Sequence, residues 1–314
     1  MQKRVLVTDL VHVKLIDGLK KLGYQVDYFP DISMEEVRTI LFSYTGIVIN
    51  SKIKMEGSTM ASASDLKFVA RLGSGLEIID RVAAKDLGIE VISAPEGNAN
   101  AVAEHALGML LCLANNLLRA DRQLRSFHWH REANRGWEIA GKTIGIIGVG
   151  HTGSAFASKL AGMRARVLGY DRYDTSWQQS LPYVTPSSLE EIKAESDIIS
   201  VHLPLSEETL NMLDAGFMKS CKQGVVIINT ARGKHLDIVA LLDLLESGHV
   251  GGACLDVFPN EKVETFNDEE RRLYARLYAL DQVVLTPHIA GWTHQSLEEI
   301  ANVLLHKIGT LKKT

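Results

Sequence analysis

The chain has 314 residues, 46% of them hydrophobic and 23% charged, with a net charge of −4. That length predicts about two domains, each large enough to bury its own core, and the slight negative charge excludes a nucleic-acid partner, which calls for a basic face. Cys112, Cys221 and Cys254 stand far apart in apolar stretches, so neither a metal site nor a disulfide framework is expected, as suits a reducing cytoplasm.

The opening MQKRVLVTDL runs straight into a strand-like segment, without the apolar core or cleavage site of a signal peptide. The longest uncharged apolar stretch, 106–118, is shorter than the roughly 20 residues that span a bilayer. The expectation is a soluble cytoplasmic protein with no membrane partner. Strand signals then follow at RVLVT (4–8), YQVDYF (24–29), GIVIN (46–50), KFVAR (67–71) and IEVIS (89–93). The second half adds TIGIIG (143–148), RVLGYD (166–171), DIISVHL (197–203), GVVIIN (224–229), GGACLDV (251–257) and VVLT (283–286). Helical patterns fall between them, at 11–21, 33–42, 152–162, 236–246 and 293–307. Apolar strands separated by helices predict parallel sheets covered on both faces, hence an α/β protein.

Eleven strands exceed one ordinary doubly wound sheet, and the alternation breaks once. From Asn98 to about Leu124 no strand signal appears, and ANAVAEHALGMLLCLANNLLRADRQL reads as one long helix with a wide apolar face. Such a helix serves as a bridge between domains or as an oligomer surface. The last helix is expected to fold back on the first sheet, which makes the first domain discontinuous.

GIIGVGHTGSAFA (145–157) carries G-x-G-x-x-G as Gly148, Gly150 and Gly153. Alone this is weak, since a structural turn accounts for it equally well. Here it follows a strand and opens a helix near Thr152, the setting in which the loop holds a dinucleotide pyrophosphate. Gly148 makes the tight turn, Gly150 admits the phosphates to the backbone, and Gly153 lets helix and strand pack. N–H groups at the helix start favour the anion. Asp171 stands eighteen residues beyond Gly153. A carboxylate there accepts from the ribose hydroxyls and repels a 2′-phosphate, favouring NAD over NADP; the alternative is a cap on the following turn. Arg172, next door, acts in the opposite sense.

Ligands of open α/β sheets bind at the carboxyl ends of strands. VVIINTARGKH puts Arg232 there, GACLDVFPNE puts Asp256 and Glu261 there, and VVLTPHIAG adds His288. These groups suit hydride transfer at a carbon next to a carboxylate. Arg232 can grip the carboxylate and carbonyl oxygens of a 2-oxo acid. His288 can give and take the proton, and Glu261 can orient the imidazole and raise its pKa. A surface ion pair, a solvated glutamate and a structural histidine are the alternatives taken singly. Their joint position on successive strand ends favours the catalytic reading.

GKTIGIIGVGHTG, VHLPLSEET, NTARG, LDVFPNE and TPHIAG, in this order, resemble the D-isomer-specific 2-hydroxyacid dehydrogenases over essentially the whole chain. Within that family the phosphoglycerate dehydrogenases that lack a C-terminal regulatory domain are the most similar. The resemblance implies two doubly wound parallel-sheet α/β domains with a cleft between. One is a flavodoxin-like substrate domain (1–96 and 287–314) and the other a Rossmann NAD domain (97–286). It also implies a homodimer formed through the NAD domain, and no metal. By the resemblance, Arg232, Glu261 and His288 are the catalytic triplet. Gly148, Gly150, His151, Thr152, Gly153, Asp171, His202, Pro204, Thr230, Ala231 and Asp256 are implied at the cofactor. Asn50, Ser51, Ser74, Gly75, Leu76 and Arg131 are implied at the substrate.

Three departures from the family pattern stand out. Lys262 replaces a common proline, and NDEERRLYARLYAL reads as an added helix. Asn50 stands where phosphoglycerate dehydrogenases place a phosphate-binding arginine, leaving Lys52, Lys54 and Arg131 as substitutes, or Lys52 and Lys54 as a solvated loop face. The implied activity is interconversion of a D-2-hydroxy acid and its 2-oxo acid with NAD. The leading pair is 3-phosphoglycerate and 3-phosphohydroxypyruvate, and the alternative is a hydroxypyruvate or glyoxylate reductase, which Asn50 favours. An NAD-sensing scaffold, of the kind that C-terminal-binding-protein corepressors represent, keeps the same triplet and is the alternative of another class.

Overall fold

The short apolar runs become parallel strands. In the computed structural model, which describes residues 3–311, the chain divides into two compact units, Met1–Ala99 with Trp292–Thr314, and Asn100–Gly291.

The first unit holds β1 (Arg4–Val7), β2 (Gln25–Tyr28), β3 (Gly46–Ile49), β4 (Phe68–Arg71) and β5 (Glu90–Ser93). They are ordered β2-β1-β3-β4-β5 and parallel throughout, the flavodoxin-like order. Helices cover both faces, so every residue of the central strand β3 is buried. On one face Leu15 and Leu19 join Ile300, Leu304 and Ile308 of the last helix, His294–Leu311, against Val5, Val7 and Val48. The last helix thus returns to the first sheet. On the other face Val37, Leu41 and Met60 pack against Leu6, Ile47 and Ile49.

The second unit holds β6 (Thr143–Ile147), β7 (Arg166–Tyr170), β8 (Val184–Pro186), β9 (Ile198–Val201), β10 (Val225–Asn229), β11 (Val250–Leu255) and β12 (Val283–Leu285). The order is β12-β11-β10-β9-β6-β7-β8, again parallel. Strand order reverses between β6 and β9, the switch point at which such sheets bind ligands. Two apolar clusters sandwich this sheet, one around Ile199, Ile227 and Leu241 and the other around Ile146, Phe156 and Ile228.

Two sequence expectations need correction. β8 was not anticipated: it has three residues at the sheet edge and ends in Pro186, where a missing N–H is tolerated. The segment after Asn98 is not one helix. Pro95–Ala114 stops, and Leu117–Arg125 sets off at 62° to it. Asn116 makes the break at φ 52°, a left-handed conformation that asparagine accepts readily. The first helix buries Ala103, Ala106, Leu110 and Leu113. The second buries nothing among the described residues, and beyond it Phe127 and Trp129 are 99% and 81% exposed. The added stretch near 267–280 does form a helix, Asp268–Tyr278, begun by a reciprocal cap between Asn267 and Glu270. Among the described residues no single helix is long and apolar enough to cross a membrane.

Candidate active site

Three loops leave the carboxyl ends of β10, β11 and β12, which are neighbours in the sheet, and buried polar side chains fix their courses. After β10, the fully buried Asn229 accepts the Ala231 N–H at 3.1 Å and donates to the Arg232 carbonyl at 2.9 Å. This closes the turn that carries Arg232, whose Nη1 donates to the Ala231 carbonyl at 2.7 Å. Gly233 follows because nothing larger fits: a Cβ there would stand 2.0 Å from the Phe258 carbonyl carbon on the next loop.

After β11, Asp256 is fully buried. Its Oδ1 accepts from Thr286 Oγ1 (2.6 Å) and the Ile289 N–H (2.8 Å), its Oδ2 from the Ala290 N–H (2.9 Å). Its carbonyl accepts the His288 N–H at 2.8 Å. These bonds hold His288 at φ 55°, in the left-handed region that few non-glycine residues enter. Because Thr286 gives its hydroxyl proton to Asp256, it accepts from His105 Nε2 at 3.0 Å. Asp256 therefore faces inward and acts on the site through the loop it anchors.

His288 Nδ1 lies 2.9 Å from Glu261 Oε2. A carboxylate only accepts, so Nδ1 carries the hydrogen and Nε2 is left for exchange. The hydrogen bond to Glu261 is the main cause that holds the His288 pKa above its ordinary value, against burial and the Arg232 charge. For Glu261 the largest influence, burial, pushes upward. His288, the Phe258 N–H and Arg232 together outweigh it and keep the carboxyl below its ordinary value. The side chains are 51% and 41% exposed, so the pair contributes little to stability. A cavity of about 450 Å³ adjoins it, walled by Phe258, Val263, Phe266 and Tyr278 together with Glu261 and His288. The added segment supplies one side of that cavity.

At the β6 end the glycines divide into two kinds. Gly148 has φ 90°, and Cβ atoms at Gly148 and Gly153 would stand 2.7 Å from the His202 carbonyl oxygen and 1.9 Å from the Gly148 carbonyl oxygen. A Cβ at Gly150 would meet nothing within 4 Å among the described residues. Gly150 is the N-cap of helix His151–Leu160 and supplies no capping side chain, which leaves an open cradle at a helix N-terminus. His151 is exposed there and Thr152 half-buried.

Asp171, at the end of β7, accepts the Val149 N–H through Oδ2 at 2.9 Å and the Tyr173 and Asp174 N–H groups through Oδ1 at 3.0 Å each. It both braces the glycine loop and caps its own turn. His202, just past β9, donates to or accepts from Ser200 Oγ through Nε2 at 2.8 Å. Burial pulls its pKa down to about 4. His202 Nδ1 and Thr230 Oγ1 are shut off from solvent and find no partner among the described residues, so a bound polar group would satisfy them. Pro204 is exposed and Ala231 buried.

Residues 107–290 match the family model described as "D-isomer specific 2-hydroxyacid dehydrogenase, NAD binding domain". The chain belongs to the D-isomer specific 2-hydroxyacid dehydrogenase family. It is 33% identical over 310 residues to a D-3-phosphoglycerate dehydrogenase of Archaeoglobus fulgidus, covering 99% of this chain and 57% of the relative. It is 35% identical over 277 residues to a hydroxypyruvate reductase of Thermotoga maritima, covering 88% of each. Its structure resembles that of a D-lactate dehydrogenase from Aquifex aeolicus complexed with NAD and lactic acid, with a TM-score of 0.84, 27% identity, and coverage of 99% and 96%. The chain spans about half the length of the phosphoglycerate dehydrogenases it matches.

NAD is the cofactor of this dehydrogenase family, and the open cradle at Gly150 and the orphaned atoms of His202 and Thr230 fit it. In the five-stranded unit, the Asn50 N–H donates to Asp9 Oδ2 at 2.9 Å and Ser51 is exposed. Lys52 Nζ donates to the Pro30 carbonyl, and Lys54 is exposed. In the loop after β4, Ser74 is exposed, Gly75 buried and Leu76 half-buried. Arg131, in the other unit, is exposed in the turn that begins Glu132–Asn134.

Sequence reasoning passed over Asn229, His105 and Thr286. His105 carried a legible signal, as a lone ring between Ala103 and Ala106 on the apolar face of its helix.

Proposed function

We propose that the protein is an NAD-dependent D-2-hydroxyacid dehydrogenase whose substrate pair is 3-phosphoglycerate and 3-phosphohydroxypyruvate. The observation that carries the dehydrogenase reading is the hydrogen-bonded Glu261–His288 pair past the ends of β11 and β12, beside the Arg232 turn after β10, and the 33% identity to a D-3-phosphoglycerate dehydrogenase supports the choice of substrate pair. Bound NAD would supply the hydride acceptor in oxidation, and NADH the donor in reduction, for C2 of the substrate. Arg232 grips the carboxylate and C2 oxygen with its planar guanidinium. Protonated His288 gives its Nε2 proton to that oxygen during reduction and takes it back during oxidation. Glu261 fixes the ring and stabilises its charged form. The five-stranded unit is assigned to the substrate, with N–H groups around Ser74, Gly75 and Leu76 for the carboxylate and Asn50 and Ser51 for the remainder. The seven-stranded unit is assigned to NAD, with Arg131 as an added cation for substrate.

The bare apolar side chains of Leu117, Leu118, Leu124, Phe127 and Trp129 support a homodimer through the seven-stranded unit. Three free cysteines are in keeping with the cytoplasm, and the phosphorylated substrate would set the enzyme in serine biosynthesis. A second reading is a hydroxypyruvate reductase. The neutral Asn50 and the engagement of Lys52 with the Pro30 carbonyl favour it.

The test is NADH oxidation over a panel of 2-oxo acids, phosphorylated and not. The expected result is the highest kcat/KM with 3-phosphohydroxypyruvate. A ratio near one against hydroxypyruvate supports the second reading, and no turnover of any 2-oxo acid returns the NAD-sensing scaffold.

A further inference from the structure

In dinucleotide-binding sheets an acidic residue past the second strand meets the ribose 2′-hydroxyl, whereas a nearby arginine accommodates a 2′-phosphate. This chain carries both side by side, as Asp171 and Arg172 at the end of β7. The structure shows what becomes of the arginine. Arg172 Nη1 donates to Glu208 Oε2 at 2.9 Å, and the Tyr173 hydroxyl donates to the same oxygen at 2.8 Å. The guanidinium carbon lies 5.5 Å from the Tyr173 ring centroid. Glu208 belongs to the loop after β9, and β6 runs between β9 and β7 in the sheet. One carboxylate therefore ties together the two loops that flank the strand from which the glycine loop springs.

We infer that Glu208 sets the cofactor preference by holding Arg172 out of reach of a 2′-phosphate. This rests on the assignment of NAD to the seven-stranded unit. With Glu208 in place, Asp171, Arg172 and Glu208 sum to one negative charge, which opposes a dianionic phosphate. With Glu208 neutralised the sum is zero, and the guanidinium is left without its carboxylate. An exposed ion pair contributes little to stability, and both side chains are about half exposed, so its removal leaves the fold intact. Tyr173 helps by fixing the shared oxygen.

The experiment measures dissociation constants of NAD+ and NADP+ by calorimetry, without substrate, for the wild type, Glu208→Gln, Arg172→Ala and the double variant. NADP+ is expected to bind Glu208→Gln about tenfold more tightly than wild type, the effect of one charge-assisted hydrogen bond gained. NAD+ affinity is expected to stay within about twofold, and the double variant to lose the gain. An unchanged ratio of the two constants in Glu208→Gln, or a gain that survives Arg172→Ala, overturns the inference alone. A wild type that binds no NAD+ overturns the cofactor assignment beneath it.

Discussion

The two halves of the seven-stranded sheet prepare for chemistry in opposite ways. At the β6–β9 switch point, glycines clear a space, and His202 Nδ1, just past β9, is left without a partner among the described residues. At the β10–β12 end the buried Asn229 and Asp256 are engaged by hydrogen bonds to the loops around them, and they set the backbone from which Arg232 and His288 rise. A region that receives a ligand keeps open space and a polar atom unsatisfied until the ligand comes, even where a neighbour such as Asp171 is already engaged. A region that acts on one satisfies its anchors beforehand, so that the reacting groups stand on a backbone already set.

The contrast can be broken most sharply at His288. His288→Asn is expected to lower turnover by at least about a hundredfold, the low end for general acid–base catalysis, while the NADH dissociation constant stays within about twofold. Steady-state kinetics beside a fluorescence titration would check both. At the other end the glycines should separate. Gly150→Ala, which enters open space, should weaken NAD+ binding by about tenfold with an unchanged thermal midpoint, as a displaced pyrophosphate loses a charge-assisted bond. Gly153→Ala meets the Gly148 carbonyl oxygen and should destabilise by about 1–3 kcal/mol, the usual range for overpacking, measured by denaturant unfolding.

Glu261→Gln tests the proton. Reduction requires charged His288, so its rate holds below the raised His288 pKa and falls as pH rises through it. Loss of the Glu261 charge should bring that fall about one pH unit lower and let the oxidative direction rise at correspondingly lower pH, read from kcat/KM against pH. The smallest effect is expected for His105→Phe. It removes one bond from the Thr286–Asp256 anchor and should lower kcat by about fivefold, the rate equivalent of one hydrogen bond worth about 1 kcal/mol. Stopped-flow hydride-transfer rates would show it.

Strands were legible because β-branched runs such as GVVIIN are buried on both faces and tolerate little else. β8 escaped because an edge strand of three residues has almost no pattern to read. The break at Asn116 escaped because both helices carry apolar residues across it, and only the local backbone, set by tertiary packing, ends the first. Within the site, Arg232, Glu261 and His288 could be picked out by their distance past strand ends. The partnership of Arg172 with Glu208 could not. The two are 36 residues apart and meet only because the strand order carries β9 and β7 to either side of β6. The inward turn of Asp256 was equally hidden, since an aspartate past a strand reads the same whether it faces solvent or the interior.

The left-handed twist at His288 makes the ring's aim a message from the interior. Residues 286–290 cut loose would relax toward ordinary backbone angles, and the imidazole would swing with them. The pose is remembered by a carboxylate thirty-two positions upstream, whose grip on Ile289 and Ala290 works like a latch on a bent spring. Asparagine is at home in such a twist. It therefore silences the acid without springing the latch, whereas a β-branched replacement would confound lost chemistry with lost shape.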